Sequence, residues 1–127
     1  MKYLLDTSGW IEYLEGSNAG EKVNEFLEAK NNEIYVTDII ISEVISKVKR
    51  KNSNSDLAYD CLIKNSKIFE ITPRVARLAG LLHAEKRKRK SSFGLIDAII
   101  ILSARELGAK LITKDNHFKG FKEAIII

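Results

Sequence analysis

The sequence predicts an α/β fold, a three-layer α/β/α sandwich around a short, mostly parallel central sheet. Three observations lead there. Short apolar or alternating runs recur along the chain with helically periodic segments between them, the order expected of strand–helix–strand crossovers. The stretch 94–107 is apolar nearly all the way round, which marks a helix buried on most sides. A composition of 45% hydrophobic and 30% charged residues, with seven Gly and one Pro, fits a globular chain and excludes a collagen-like or wholly disordered one. At 127 residues a single domain spanning 1–127 is expected.

The first run, 2–6, stops at Asp6-Thr7-Ser8-Gly9, a signal that ends a strand and caps a helix beginning near Trp10. Val23, Phe26 and Leu27 recur at i, i+3 and i+4, so 21–30 is an amphipathic helix, and 34–37 follows as a buried strand. Thr37 or Asp38 caps a third helix over 38–51, apolar at Ile39, Ile40, Ile41, Val44, Ile45 and Val48. Residues 52–55 form a polar loop. Leu57, Ala58, Cys61 and Leu62 give 55–64 helical spacing, and 67–71 alternates as a strand. Thr72-Pro73 places a capping hydroxyl before a proline at the first helical position, and Val75, Leu78, Ala79 and Leu82 mark one face of the helix that follows, until Ser91 and Ser92 break it. Gly108 is the natural cap of the buried helix 94–107. A strand over 110–113, a loop over 114–118 and a final edge strand over 124–127 complete the chain.

No 18 apolar residues run together, and Asp6 interrupts the first run too early for a signal-peptide core, so a soluble cytoplasmic protein without membrane contact is expected. The lone Cys61 permits neither an intrachain disulfide nor a Cys-based zinc site, in keeping with a reducing compartment. Charge is unevenly placed: residues 1–45 carry a net −6 and residues 46–127 a net +10. Two runs concentrate the positive charge, Lys47, Lys49, Arg50 and Lys51, then Lys86, Arg87, Lys88, Arg89 and Lys90. Such clusters suit a polyanion such as nucleic acid, and they equally suit the last turn of a helix, where cations complement the backbone dipole.

Four acids stand beside apolar sequence. Asp6 ends the first strand, Glu43 interrupts Ile39–Ile45, Asp97 interrupts Leu95–Leu102, and Asp115 follows Leu111-Ile112-Thr113. An unpaired carboxylate in such surroundings costs about 3–5 kcal/mol, so each needs a partner or an open cleft. Ligands of parallel α/β sheets bind beyond the carboxyl ends of the strands, where Asp6 and Asp115 fall, and Glu43 and Asp97 lie early in helices able to face the same crevice. Four carboxylates with no neighbouring His or Cys favour Mg²⁺ or Mn²⁺, and that combination suits metal-dependent phosphodiester hydrolysis. Simpler roles stay open: Asp6 as a helix cap, Asp115 as a turn residue, Asp97 at a helix start, and Glu43 paired with Lys47. His83 and His117 are expected on a helix face and a loop, outside the mechanism, and Trp10 and Tyr13 as packing or dimer-contact residues.

Leu4-Leu5-Asp6-Thr7-Ser8, Ser42-Glu43-Val44, Gly94-Leu95-Ile96-Asp97-Ala98 and Leu111-Ile112-Thr113-Lys114-Asp115-Asn116-His117-Phe118 occur in that order. Together they resemble the PIN domain, specifically the VapC-like ribonuclease toxins, over essentially the whole chain. The resemblance implies a PIN-like fold and endoribonuclease action on structured RNA. It makes Asp6, Glu43, Asp97 and Asp115 metal ligands directly or through water, with Ser8 supporting the site and Asn116 assisting. It further implies a homodimer and a cognate VapB-like antitoxin whose tail enters the site. The basic runs then become candidate RNA contacts. Two rivals remain: a catalytically silent PIN-like module that binds RNA or a partner, and a haloacid-dehalogenase-type phosphatase with Asp6 as nucleophile. The second lacks the usual acid two residues on, where Ser8 stands.

Overall fold

A computed structural model describes residues 1–89 and 92–127; Lys90 and Ser91, an expected RNA contact and an expected helix break, lie outside the described residues. Five strands form one sheet in the order β3-β2-β1-β4-β5, and every neighbouring pair is parallel. The chain runs β1 (Lys2–Leu5), α1 (Thr7–Glu15), α2 (Asn18–Glu28), β2 (Glu33–Thr37), α3 (Asp38–Arg50), α4 (Ser55–Asn65), β3 (Lys67–Phe69) and α5 (Pro73–Arg87), then α6 (Leu95–Leu107), β4 (Lys110–Thr113), a short 3₁₀ turn (Asn116–Phe118) and β5 (Ala124–Ile126). Central β1 pairs Leu4 with Tyr35 of β2 and Leu111 of β4, so the first run, with Leu4 and Leu5 buried, becomes the axis of the sheet.

Caps set the helix starts. α1 begins at Thr7, not near Trp10, because Asp6 is its cap: the Asp6 side chain accepts from Gly9 N–H at 3.0 Å, drawing Thr7, Ser8 and Gly9 into the first turn despite their weak helical preference. α2 begins at Asn18 rather than Glu21 for the same reason, with Ser17 accepting from Gly20 N–H. Gly20 also allows α1 and α2 to approach, since a Cβ there would lie 2.2 Å from the Glu12 carbonyl oxygen. Thr37, Asn54 and Thr72 cap α3, α4 and α5, and Gly108 closes α6 in the left-handed conformation. β3 ends at Phe69, two residues short of the expected strand, and the expected loop 114–118 contains the 3₁₀ turn.

The core fills both faces of the sheet. Leu4, Leu5, Val36, Leu111 and Ile112 from the strands meet Trp10, Ile40, Val44, Leu62 and Ile101 from the helices, all essentially without solvent contact. Trp10 is therefore a packing residue, with Tyr13 edge-on to it. Among the described residues no helix is long and apolar enough to cross a membrane.

Candidate metal centre

Parallel strands present their carboxyl ends along one edge of the sheet, and the connections leaving β1 and β4 carry Asp6 and Asp115 there. Asp6 is 3% exposed. Its Oδ1 accepts from Ser8 Oγ at 2.7 Å and Gly9 N–H at 3.0 Å, and its Oδ2 accepts from Thr113 Oγ1 at 2.6 Å. Burial pushes the Asp6 carboxyl up from 3.8 to about 6, against the hydrogen bonds from Thr113, Ser8 and Gly9, while the charge of Asp115 adds to the rise. With both oxygens engaged and almost no exposure, Asp6 is poorly placed as the phosphoryl-accepting nucleophile of a phosphatase.

Thr113 ties two acids together. Its hydroxyl donates to Asp6 and accepts from Asp115 N–H at 2.9 Å, so the last residue of β4 fixes the spacing of both. Ser8 works alike: its hydroxyl donates to Asp6 and accepts from Lys114 N–H at 2.9 Å, joining the first turn of α1 to the segment after β4. Glu43 is held from a third direction, accepting from Thr7 Oγ1 at 2.7 Å. Thr7 and Thr113 are both buried, and neither was singled out from sequence, because a threonine beside a strand reads as core until its tertiary partner is known.

Asp97 sits at the third position of α6, where its Oδ2 accepts from Gly94 N–H at 2.8 Å, the half of a capping box that a glycine cap allows. The helix-start role and the site role coincide in this residue. Against expectation, a histidine joins it. The 3₁₀ turn folds His117 back so that Nδ1 lies 3.2 Å from Asp97 Oδ2 and 3.5 Å from Asp115 Oδ1, while His117 N–H donates to Asp115 Oδ1 at 2.9 Å. Ligand atoms of Asp97, Asp115 and His117 lie within 4.8 Å of one another. Asp6 and Glu43 stand outside that triplet, connected to it through Thr113 and to one another's segment through Thr7. The exposed Asn116 opens the 3₁₀ turn.

The donor set fits a divalent cation. Among the described residues, no Lys or Arg forms an ion pair with Asp6, Glu43, Asp97 or Asp115, and nearby Lys114 turns away to Glu12 at 2.9 Å. Convergent carboxylates left without a cationic side chain favour a bound metal ion, and two carboxylates with one imidazole are an ordinary ligand set. The alternative left open for Glu43, a pair with Lys47, is not formed; Glu43 takes the Thr7 hydroxyl instead.

The basic residues divide. Lys47 and Arg50 share an open groove with Glu43, and Lys49 is exposed. Lys51 pairs with Glu15 at 2.6 Å, Lys88 lies 3.5 Å from Glu85, and Lys86 Nζ sits 4.8 Å above the Phe121 ring. Arg87 and Arg89 are exposed.

Known proteins share this fold. The chain is 28% identical to Ribonuclease VapC2 of Rickettsia felis, over 96% of its own length and 91% of the relative's. In structure it is similar to a chain of a toxin–antitoxin complex from Klebsiella pneumoniae, with a TM-score of 0.76, 22% identity, and coverage of 97% of this chain and 95% of that one. It is likewise similar to VapC20 of Mycobacterium tuberculosis, a toxin that cleaves the sarcin–ricin loop, with a TM-score of 0.75, 16% identity, and coverage of 95% and 97%. The family model of the PIN domain matches residues 3–124, from the first strand to the last, and the chain therefore belongs to the PIN domain family.

Proposed function

We propose that this PIN-domain chain is a ribonuclease toxin of a toxin–antitoxin pair, hydrolysing RNA phosphodiester bonds with Mg²⁺ or Mn²⁺. The observation that carries the reading is the approach of Asp97 and Asp115 at the sheet edge, in a cluster with no Lys or Arg partner among the described residues. Relatives supply the rest: one is named a ribonuclease, and structural neighbours include a toxin–antitoxin complex and an RNA-cleaving toxin. A divalent cation held there supplies a Lewis acid for a phosphoryl oxygen and lowers the pKa of a water.

The protein's own groups have separable tasks. Asp97 and Asp115 are half-buried and, with His117, offer the ligand atoms that lie near one another. Asp6 is an anchored negative charge whose ionised form predominates above about pH 6. Thr7 aims Glu43, Ser8 and Thr113 aim Asp6, and these short bonds fix the carboxylates before substrate arrives. Lys47, Arg50 and the exposed cations of the second run supply the positive field that an anionic site needs to hold a polyanion. The partners of this reading are RNA, a VapB-like antitoxin and a second copy of the chain, acting in the cytoplasm.

The test is cleavage of total cellular RNA by purified protein in Mg²⁺, in EDTA, and by Asp97→Asn in Mg²⁺. Asn retains a cap acceptor for Gly94 but removes the charge, so the fold persists while cleavage is expected to fall at least ~100-fold. Equal cleavage by the variant, or undiminished cleavage in EDTA, overturns the reading.

A further inference from the structure

Asp115 has a cation as its chain neighbour. Asp6, Glu43 and Asp97 have no Lys or Arg beside them in the sequence, whereas Lys114 immediately precedes Asp115. The main chain of Lys114 is pinned close to the centre: its N–H donates to Ser8 Oγ at 2.9 Å, and the same hydroxyl donates to Asp6. From that anchor the flexible four-carbon stem of a lysine sweeps a wide arc, and for its ammonium a cluster of carboxylates is the natural partner. The structure holds it elsewhere. Lys114 Nζ donates to Glu12 Oε1 at 2.9 Å.

Glu12 is well placed to keep it. Ser8 and Glu12 stand at i and i+4 of α1, so one helix face takes the main chain of Lys114 at one turn and its side chain at the next. Glu12 is itself fixed: Ser17 Oγ donates to the same Oε1 at 3.1 Å while capping α2 through Gly20 N–H at 3.0 Å. The Glu12 side chain is 15% exposed and that of Lys114 52%, so the carboxylate is the rigid member of the pair and the ammonium the movable one. In the other lysine pairs, Glu15–Lys51, Glu33–Lys67 and Glu85–Lys88, the carboxylate side chain is at least 42% exposed.

We propose that Glu12 is a positioning residue of the metal centre: it holds the Lys114 ammonium away from Asp97 and Asp115 and so leaves their carboxylates to the divalent cation. The proposal rests on the metal-dependent reading and adds a residue of α1, outside the four acids, that sets how tightly the ion is held. Released from Glu12, the ammonium pairs with those carboxylates and competes with the ion for the same oxygens. Two simpler roles make different demands. A through-space effect of the Glu12 charge is the same whether or not Lys114 is present, and a strut that merely braces the segment after β4 fails equally when either partner is lost.

The experiment measures Mn²⁺ binding in the absence of RNA, from the electron paramagnetic resonance of the free ion, and cleavage of total cellular RNA across a Mg²⁺ series. Wild type is compared with E12Q, K114M, E12Q/K114M and E33Q, which breaks a pair of similar length, Lys67–Glu33 at 2.7 Å, at the opposite edge of the sheet. Gln keeps an acceptor for Ser17, and circular dichroism checks the fold of each variant. E12Q is expected to bind Mn²⁺ about tenfold more weakly than wild type, K114M no more weakly, and E12Q/K114M within about twofold of K114M. E33Q matches wild type, and E12Q needs more Mg²⁺ to reach the wild-type kcat. The proposal is overturned by E12Q that binds as wild type does, by an equal cost of E12Q in both backgrounds, or by K114M as weak as E12Q. If wild type binds Mn²⁺ and cleaves RNA in any of those cases, the ribonuclease reading stands without it. The expected pattern in a protein that cleaves no RNA sinks the ribonuclease reading and leaves Glu12 as the guard of the ion. If wild type binds no Mn²⁺, both fall.

Discussion

Asp6→Asn separates what the site costs in stability from what it contributes to activity. The carboxylate is held by three hydrogen bonds, from Ser8, Gly9 and Thr113, and burial raises its pKa from 3.8 to about 6. The folded protein binds this proton more tightly than the unfolded chain does, so the stabilisation is complete below the unfolded value of 3.8 and is lost as pH rises through about 6. At ~1.4 kcal/mol per tenfold change in proton affinity, the rise from 3.8 to about 6 means that ionised Asp6 costs about 3 kcal/mol near neutrality. Asn keeps the shape and an acceptor for Ser8 and Gly9, but turns an amide NH₂ toward Thr113, at a loss of about 1 kcal/mol. Metal-free D6N is therefore expected to exceed wild type by about 2 kcal/mol near pH 7.5, melting roughly 7 °C higher, and to lose that advantage near pH 4. Unfolding followed by circular dichroism in EDTA across this range is the assay. Added Mg²⁺ should narrow the gap by stabilising wild type alone. A variant no more stable than wild type near neutrality, or a gap that does not change with pH, refutes the assignment of burial as the origin of the shift.

The remaining predictions concern the neighbours of the acids and the helix crossing. Thr7→Val removes the hydroxyl that orients Glu43 while preserving shape; RNA cleavage should fall roughly tenfold, with a change in stability of about 1 kcal/mol or less by urea unfolding. Thr113→Val deprives buried Asp6 of one donor and Asp115 N–H of its acceptor, for an expected loss of about 3 kcal/mol, whereas Thr113→Ser should recover most of it. Gly20→Ala pushes a Cβ into the Glu12 backbone and should destabilise by about 2 kcal/mol or more, while Gly80→Ala, where a Cβ meets nothing within 4 Å, should not.

Much of the fold is legible because helix caps stand at or just after strand ends: Asp6 follows β1 and caps α1, Thr37 ends β2 and caps α3, and Thr72 follows β3 and caps α5. Thr72-Pro73 and Gly108 act as their local chemistry indicates, and the apolar spacing of 38–51 and 94–107 survives as α3 and α6 within a residue or so. The sequence places the start of α1 near Trp10 because Asp6-Thr7-Ser8-Gly9 as a whole reads as a strand stop and helix cap; the Asp6–Gly9 hydrogen bond shows that Asp6 alone is the cap and the three residues after it are already helical. In the site, the four acids stood out as charges beside apolar runs, a signal any buried carboxylate produces. Thr7 and Thr113 gave no such signal, because their worth lies in partners 36 and 107 residues away. From sequence His117 is a loop residue, and the 3₁₀ turn that folds it toward Asp97 has no periodicity to reveal it. Each basic run looks uniform in sequence; tertiary packing divides both, drawing Lys51 of the first to Glu15 and Lys86 of the second to Phe121.

Anomalous scattering from crystals soaked in Mn²⁺ tests the central claim most directly. The account predicts a peak within bonding distance of the Asp97 and Asp115 carboxylates, on the side facing Asp6 and Glu43, and its loss in Asp97→Asn. A protein that cleaves RNA yet shows no peak there, or one that binds the ion elsewhere, contradicts it.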